Sequence, residues 1–221
     1  MRTRFNEELE KLHEHLIYMG ELCEIAICKA TSSLLKNDSC KARSILEIES
    51  DIDETEKIIE NLCLKLLLQQ QPVARDLREI SAALKIITDM ERIGDQAADI
   101  ADIVLHKNAY EDFDVSKIRE MSKNVSAMVS DSITAYVKQD LVLTQKIINQ
   151  DKIVDDLFES IKQELILLID KNKLEQGKLA IDLIMIAKYL ERIGDHATNI
   201  AEWVEFAITG IHKIYSNENK D

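Results

Sequence analysis

Met90-Glu91-Arg92-Ile93-Gly94-Asp95-Gln96-Ala97-Ala98-Asp99-Ile100-Ala101-Asp102 returns one hundred residues later as Leu190-Glu191-Arg192-Ile193-Gly194-Asp195-His196-Ala197-Thr198-Asn199-Ile200-Ala201-Glu202. Eight of the thirteen positions are identical, and Asp102 and Glu202 share a charge. Similarity at a fixed offset is the signature of a tandem duplication. Neither copy contains proline, and Met90, Ile93, Ala97, Ile100 and Val104 recur at steps of three and four, so both copies read as helices. Beside that apolar stripe runs an acidic one, Glu91, Asp95, Asp99 and Asp102. Like charges at this spacing repel. Leu77, Ile80, Leu84 and Ile87 form a line whose next members are Glu91, Gly94 and Ala98, which predicts that Glu91 faces a neighbouring helix. Gly94 costs about 1 kcal/mol relative to alanine inside a helix, yet it recurs as Gly194. The pattern predicts a close approach of another backbone or of a ligand at both glycines. Carboxylates turned toward a seam need a compensating cation, whether Arg, Lys or a metal.

The whole chain suits this reading. Its 221 residues are 46% hydrophobic, with one proline, five glycines and 5% aromatics, a composition for long helices rather than for a sandwich or barrel. A net charge of -13 argues against nucleic acid or anionic lipid as direct partners. No apolar run is long enough to span a bilayer, and no secretory segment opens the chain. The four cysteines form no C-x-x-C pair and read as reduced thiols, with Cys23 and Cys28 as core fillers. A cytoplasmic protein with no direct membrane insertion is expected.

Six helices are predicted: about Arg4–Lys36, a second to about Gln70, Pro72 to about Lys107, Val115–Lys138, a fifth from a cap at Asp140 to about Asp170, and a sixth ending near Gly210. Asp38 and Ser39 are cap candidates for the second helix, Asn108–Asp114 is a polar link, and Pro72 suits a first helical turn. The fold class expected is all-α, two tandem three-helix bundles related by internal pseudo-symmetry, over residues 1–108 and 109–221.

The duplication reaches past the motif. Glu49 and Asp53 on the second helix correspond to Asp151 and Asp155 on the fifth at an offset of 102, and Glu91 and Asp95 correspond to Glu191 and Asp195 at an offset of 100. Each half thus offers two acidic i,i+4 pairs on helices expected to pack antiparallel at roughly 8–10 Å. Facing carboxylates at that distance can share an ion, and all-oxygen donors suit Mg, Mn, Ca or iron. The plain alternatives are solvated helix faces, or neutralisation by Arg92 and Arg192. His196 reads as a packing histidine more readily than as a nitrogen ligand, and Trp203 as packed between helices. No nucleophile–base constellation, phosphate-binding glycine loop or zinc signature is present, and the Glu-x-x-His pairs of di-iron oxidases are absent from the four acidic segments, so an enzyme is not expected.

Two three-helix repeats with acidic pairs on their second and third helices, together with Gln71-Pro72-Val73-Ala74-Arg75-Asp76-Leu77-Arg78 ahead of Glu91-Arg92-Ile93-Gly94-Asp95, resemble the PhoU family of phosphate-transport regulators. The resemblance covers nearly all of residues 4–210. It implies cytoplasmic, commonly homodimeric proteins that restrain phosphate uptake and the phosphate-starvation response. Their implied partners are the ATPase of the phosphate ABC transporter and the phosphate-sensing histidine kinase. It also implies metal cations, with iron, zinc, Mn and Mg as candidates. Their ligands would be Glu49, Asp53, Glu91, Asp95 and Asp99 in one half, and Asp151, Asp155, Glu191, Asp195 and Asn199 in the other. Asn199 stands where Asp99 supplies a carboxylate, so the second site is less acidic. A metal-storage or oxidase-type bundle and a metal-free helical adaptor are the rival classes.

Overall fold

A computed structural model of the chain describes residues 2–36, 39–69, 72–106, 114–169 and 174–211. They form six helices and, among the described residues, no strand: α1 (Arg2–Lys36), α2 (Ser39–Gln69), α3 (Ala74–Leu105), α4 (Ser116–Lys138), α5 (Leu141–Ile169) and α6 (Leu174–Thr209). The chain is all-α, and α1, α2 and α3 of the first repeat correspond in order to α4, α5 and α6 of the second.

The helix ends follow local chemistry. Asp140 accepts hydrogen bonds from the backbone N–H of Val142 (2.9 Å) and Leu143 (3.0 Å), the N-cap expected from the sequence. α6 ends at Gly210, whose φ of +75° is a left-handed conformation that glycine adopts without penalty. At α3 the start differs from expectation. Pro72 precedes the cap rather than opening the helix: Val73 is the N-cap, and its N–H donates to the Asp76 carboxylate at 3.1 Å. A carboxylate three residues in satisfies an orphan donor and faces the positive end of the helix dipole. The expected cap at Asp38, most of the link at 108–114, the basic stop at 171–173 and the tail after Ile211 lie outside the described residues; the side chain of Ser39 also lies outside them.

Each bundle closes on its apolar stripe. Met90, Ile93, Ala97, Ile100 and Val104 are buried on α3, and Leu190, Ile193, Ala197, Ile200 and Val204 on α6. The upstream line is only partly inside: Ile80 and Ile87 are buried, but Leu77 is 44% exposed at the start of α3. Within a repeat all three helices touch one another; between repeats α1 meets α4 and α3 meets α6. Hence α2 and α5 are the outer helices and the two inner pairs form the seam. Buried polar contacts cross it: Thr31 donates to Ser122 (2.6 Å), and the Tyr136 hydroxyl donates to the Glu79 carbonyl (2.9 Å).

The cysteines divide. Cys23 and Cys63 are buried, and burial pushes both thiols up to about 12. Cys28, expected in the core, is exposed on the other side of α1, its sulfur 3.9 Å from Ser126 Oγ. Among the described residues no helix is long and apolar enough to cross a membrane.

Candidate metal centres

Gly94 and Gly194 mark the two crossings that set the sites. A Cβ on Gly94 would lie 3.0 Å from Ile52 Cδ1, and one on Gly194 would lie 3.3 Å from Val154 Cγ1. Both neighbours are fully buried. Glycine is used because the outer helix lies directly against the motif helix there, as its mid-helix recurrence predicts. Glu49 and Asp53 flank Ile52 on α2, and Asp151 and Asp155 flank Val154 on α5. The crossing therefore carries each acidic pair to the facing helix.

In the first repeat the expected four carboxylates gather. Desolvation raises the Glu49 carboxyl above its usual range, and the charges of Asp53, Asp95 and Glu91 raise it further. Glu91 is raised likewise, first by desolvation and then by Asp95. Arg92 pairs with Glu91 (3.4 Å) and Asp95 (3.5 Å) while remaining 56% exposed. A fifth carboxylate joins them. Glu56 is raised by desolvation and then by Glu91 and Asp53. Its place on the same side of α2 was the available signal, three residues beyond Asp53.

Asp99 stands apart from the α2 carboxylates. It hydrogen-bonds the Tyr189 hydroxyl and lies near Arg192 across the seam, although desolvation and Asp95 still raise it.

In the second repeat Asp151 is the most perturbed carboxyl, pushed up to about 6 by desolvation and then by Asp155 and Asp195. Its Oδ1 would lie 3.6 Å from a Cβ on Gly194, so it sits over the crossing itself. Asp195 is raised by desolvation, then by Glu191 and Asp155. Lys188 forms an ion pair with Glu191. Asn199 turns away: its amide donates to Asp89 Oδ1 at 3.2 Å, and the same oxygen accepts from His196 Nδ1 at 2.8 Å. His196 is thus a packing histidine between α3 and α6. The residue beside Asp151 is Thr198, whose hydroxyl interacts with the Asp151 carboxyl and opposes its rise.

Each repeat therefore brings carboxylates from two helices into mutual electrostatic range. Among the described residues no three His, Cys, Asp or Glu side chains close tightly enough to hold an ion as they stand. The donor chemistry nonetheless fits a hard or borderline cation: all-oxygen ligands that raise one another's carboxyls by mutual repulsion. It fits zinc less well, since a structural zinc site takes sulfur or nitrogen.

The comparisons with known proteins bear on the whole chain. The PhoU domain model matches it twice, at residues 16–104 and 118–204. A phosphate-specific transport system accessory protein PhoU homolog of Clostridium acetobutylicum is 38% identical over 211 residues, covering 95% of this chain and 96% of that protein. Its counterpart in Pseudomonas aeruginosa is 33% identical, covering 94% and 86%. The crystal structure of PhoU from Pseudomonas aeruginosa superposes with a TM-score of 0.88 at 32% identity, covering 94% of this chain and all of that one (100%). The phosphate transport system regulatory protein PhoU from Streptococcus pneumoniae gives 0.87 at 25% identity, covering 95% and 99%.

Proposed function

The chain belongs to the PhoU family, and from that premise we propose that it is a cytoplasmic, non-enzymatic regulator of phosphate uptake and of the phosphate-starvation response. The observation that carries this is the double family match over both repeats, in relatives named as accessory proteins of phosphate-specific transport systems. We place its action on the ATPase of the phosphate ABC transporter and on the phosphate-sensing histidine kinase, with the protein working as a homodimer. Deletion of its gene is expected to leave phosphate uptake and starvation genes active in phosphate-rich medium. Normal repression in a clean deletion strain would overturn the reading.

The same reading includes one cation centre per repeat. Glu49, Asp53, Glu91 and Asp95 would hold the first and Asp151, Asp155, Glu191 and Asp195 the second, with Asp99 and Asn199 outside both sets on account of their contacts across the seam. A bound cation would neutralise the clustered charge and tie the outer helix to the motif helix. Carboxylates a few ångströms apart otherwise repel by a few kcal/mol at an effective dielectric near 20. Elemental content of protein purified without a metal-affinity tag tests this: Glu91→Gln with Asp95→Asn should lower the bound metal.

A metal-free adaptor is the second reading, favoured by the absence of a closed three-ligand set among the described residues and by the pairing of Arg92 and Lys188 with the carboxylates. It predicts that added Mn, Mg, Zn or iron leaves the melting temperature unchanged.

A further inference from the structure

On the reading above that the chain acts through partner proteins, we propose that the end of the molecule where α3 begins is a docking surface. Arg75 and Arg78 there take the carboxylates of an acidic, apolar segment of the partner. The duplication does not repeat this pair: Glu175 and Lys178 stand at the equivalent places of the second half.

Arg78 is partly buried, yet among the described residues it forms no ion pair, and its buried Nε has no hydrogen-bond partner. A charge drawn out of water is costly until something satisfies it. The carboxylates of the neighbouring turns are already engaged. Asp76 accepts from the Val73 N–H at 3.1 Å, Asp140 caps α5, and Glu79 meets His13 at 3.0 Å. Gly210 gives the arginine its seat: a Cβ there would lie 3.4 Å from Arg78 Cδ and Nε, so the side chain lies against bare backbone. Arg75, one turn earlier and exposed, donates only to the neutral side chain of Gln139. Residues three apart on a helix are neighbours, so the two guanidiniums stand within reach of one ligand.

The surface around them is aliphatic. Leu68, Val73, Leu77, Val142 and Ile211 are exposed, from 44% at Leu77 to 82% at Leu68 and Val142. The arginines tie these residues into one patch, since Arg78 touches Gly210 beside Ile211 and Arg75 touches Gln139, three residues before Val142. Exposed aliphatic side chains grouped around arginine have the composition of a protein interface. Charge then selects the occupant. A chain of net charge -13 attracts a basic partner at many places, but accepts an acidic one only where guanidiniums are free to meet it. A second copy docked patch to patch under two-fold symmetry would set arginine against arginine.

The intact phosphate ABC transporter and the phosphate-sensing histidine kinase, each in nanodiscs and titrated with the full chain, test this. At least one is expected to bind. Arg78→Met keeps an aliphatic stem against Gly210 and removes the charge, and should weaken that binding about thirtyfold. Its melting temperature should equal or exceed the wild type's, whereas loss of a merely structural arginine would lower it. Val142→Asp should weaken binding about threefold and Val142→Lys strengthen it about threefold, at a similar loss of apolar area. These two exposed substitutions decide the matter if Arg78→Met folds poorly. Binding that ignores a folded Arg78→Met, or failing that variant ignores both Val142 changes, overturns this surface and leaves the partner reading intact. Equal losses with Val142→Asp and Val142→Lys overturn the acidic occupant. Sedimentation in which Arg78→Met alters the oligomeric state of the chain alone assigns the patch to a second copy and overturns it as well. No binding of either membrane protein by the wild type overturns the partner reading and this proposal together.

Discussion

At equivalent places beside the motif helix, the first repeat has Glu56 and Thr88 where the second has Phe158 and Lys188. Each repeat has its motif glycine against the outer helix, yet five carboxylates gather in the first cluster and four in the second, which has its own ammonium. What the difference teaches is that duplication preserved the frame and let the charge drift. The frame depends on apolar contacts at the crossing, where a change of one methylene is felt. The charges stand half in solvent, where a substitution costs far less.

The largest effect should come from the frame. Ile52→Ala empties a fully buried position against Gly94 and should cost about 3 kcal/mol in urea unfolding. Val154→Ala in the second repeat should cost about 1 kcal/mol less, since it removes one methylene fewer. Equal losses would break the correspondence of the two crossings.

Filling the glycines should give smaller and unequal changes. An added methyl at position 94 meets Ile52 at 3.0 and 3.4 Å, whereas at 194 the nearest atom is 3.3 Å away. Gly94→Ala should lose about 1 kcal/mol net, the clash outweighing alanine's helix preference, and Gly194→Ala should stay within about 0.5 kcal/mol of wild type. Denaturation midpoints decide it, and the reverse order would mean that the tighter crossing is the second.

The smallest effect is with pH, in chelating buffer. Asp151 rises from 3.8 to about 6 on folding, so between those values the folded chain binds the extra proton. Stability from this group is then greatest below pH about 4 and falls as pH rises through 6. Asp151→Asn should flatten that slope, while Glu49→Gln, raised in the same direction, sharpens the comparison from the first repeat. A wild-type slope that Asp151→Asn leaves intact would remove Asp151 as its source.

Much of this was legible in the chain. Steps of three and four gave the six helices, the Asp140 cap and the Gly210 stop followed from residue type, and the offset copies gave two bundles with glycines at close contacts. The acidic pairs were legible because i and i+4 share one face of any helix. Legibility failed where the answer depended on which neighbour a face meets.

The sequence by itself determined the repeat, the helices, the apolar stripes and the grouping of carboxylates along each helix, since these follow from backbone periodicity alone. Only the tertiary structure decided that Asp99 and Asn199 belong to the seam between repeats, that Thr198 stands beside Asp151, and that Glu56 and Lys188 complete the two clusters. Successive residues point about 100° apart, so Thr198 and Asn199 serve different neighbours. α6 packs against α3, α4 and α5 at once. Periodicity says which residues share a face, and only packing says what that face touches.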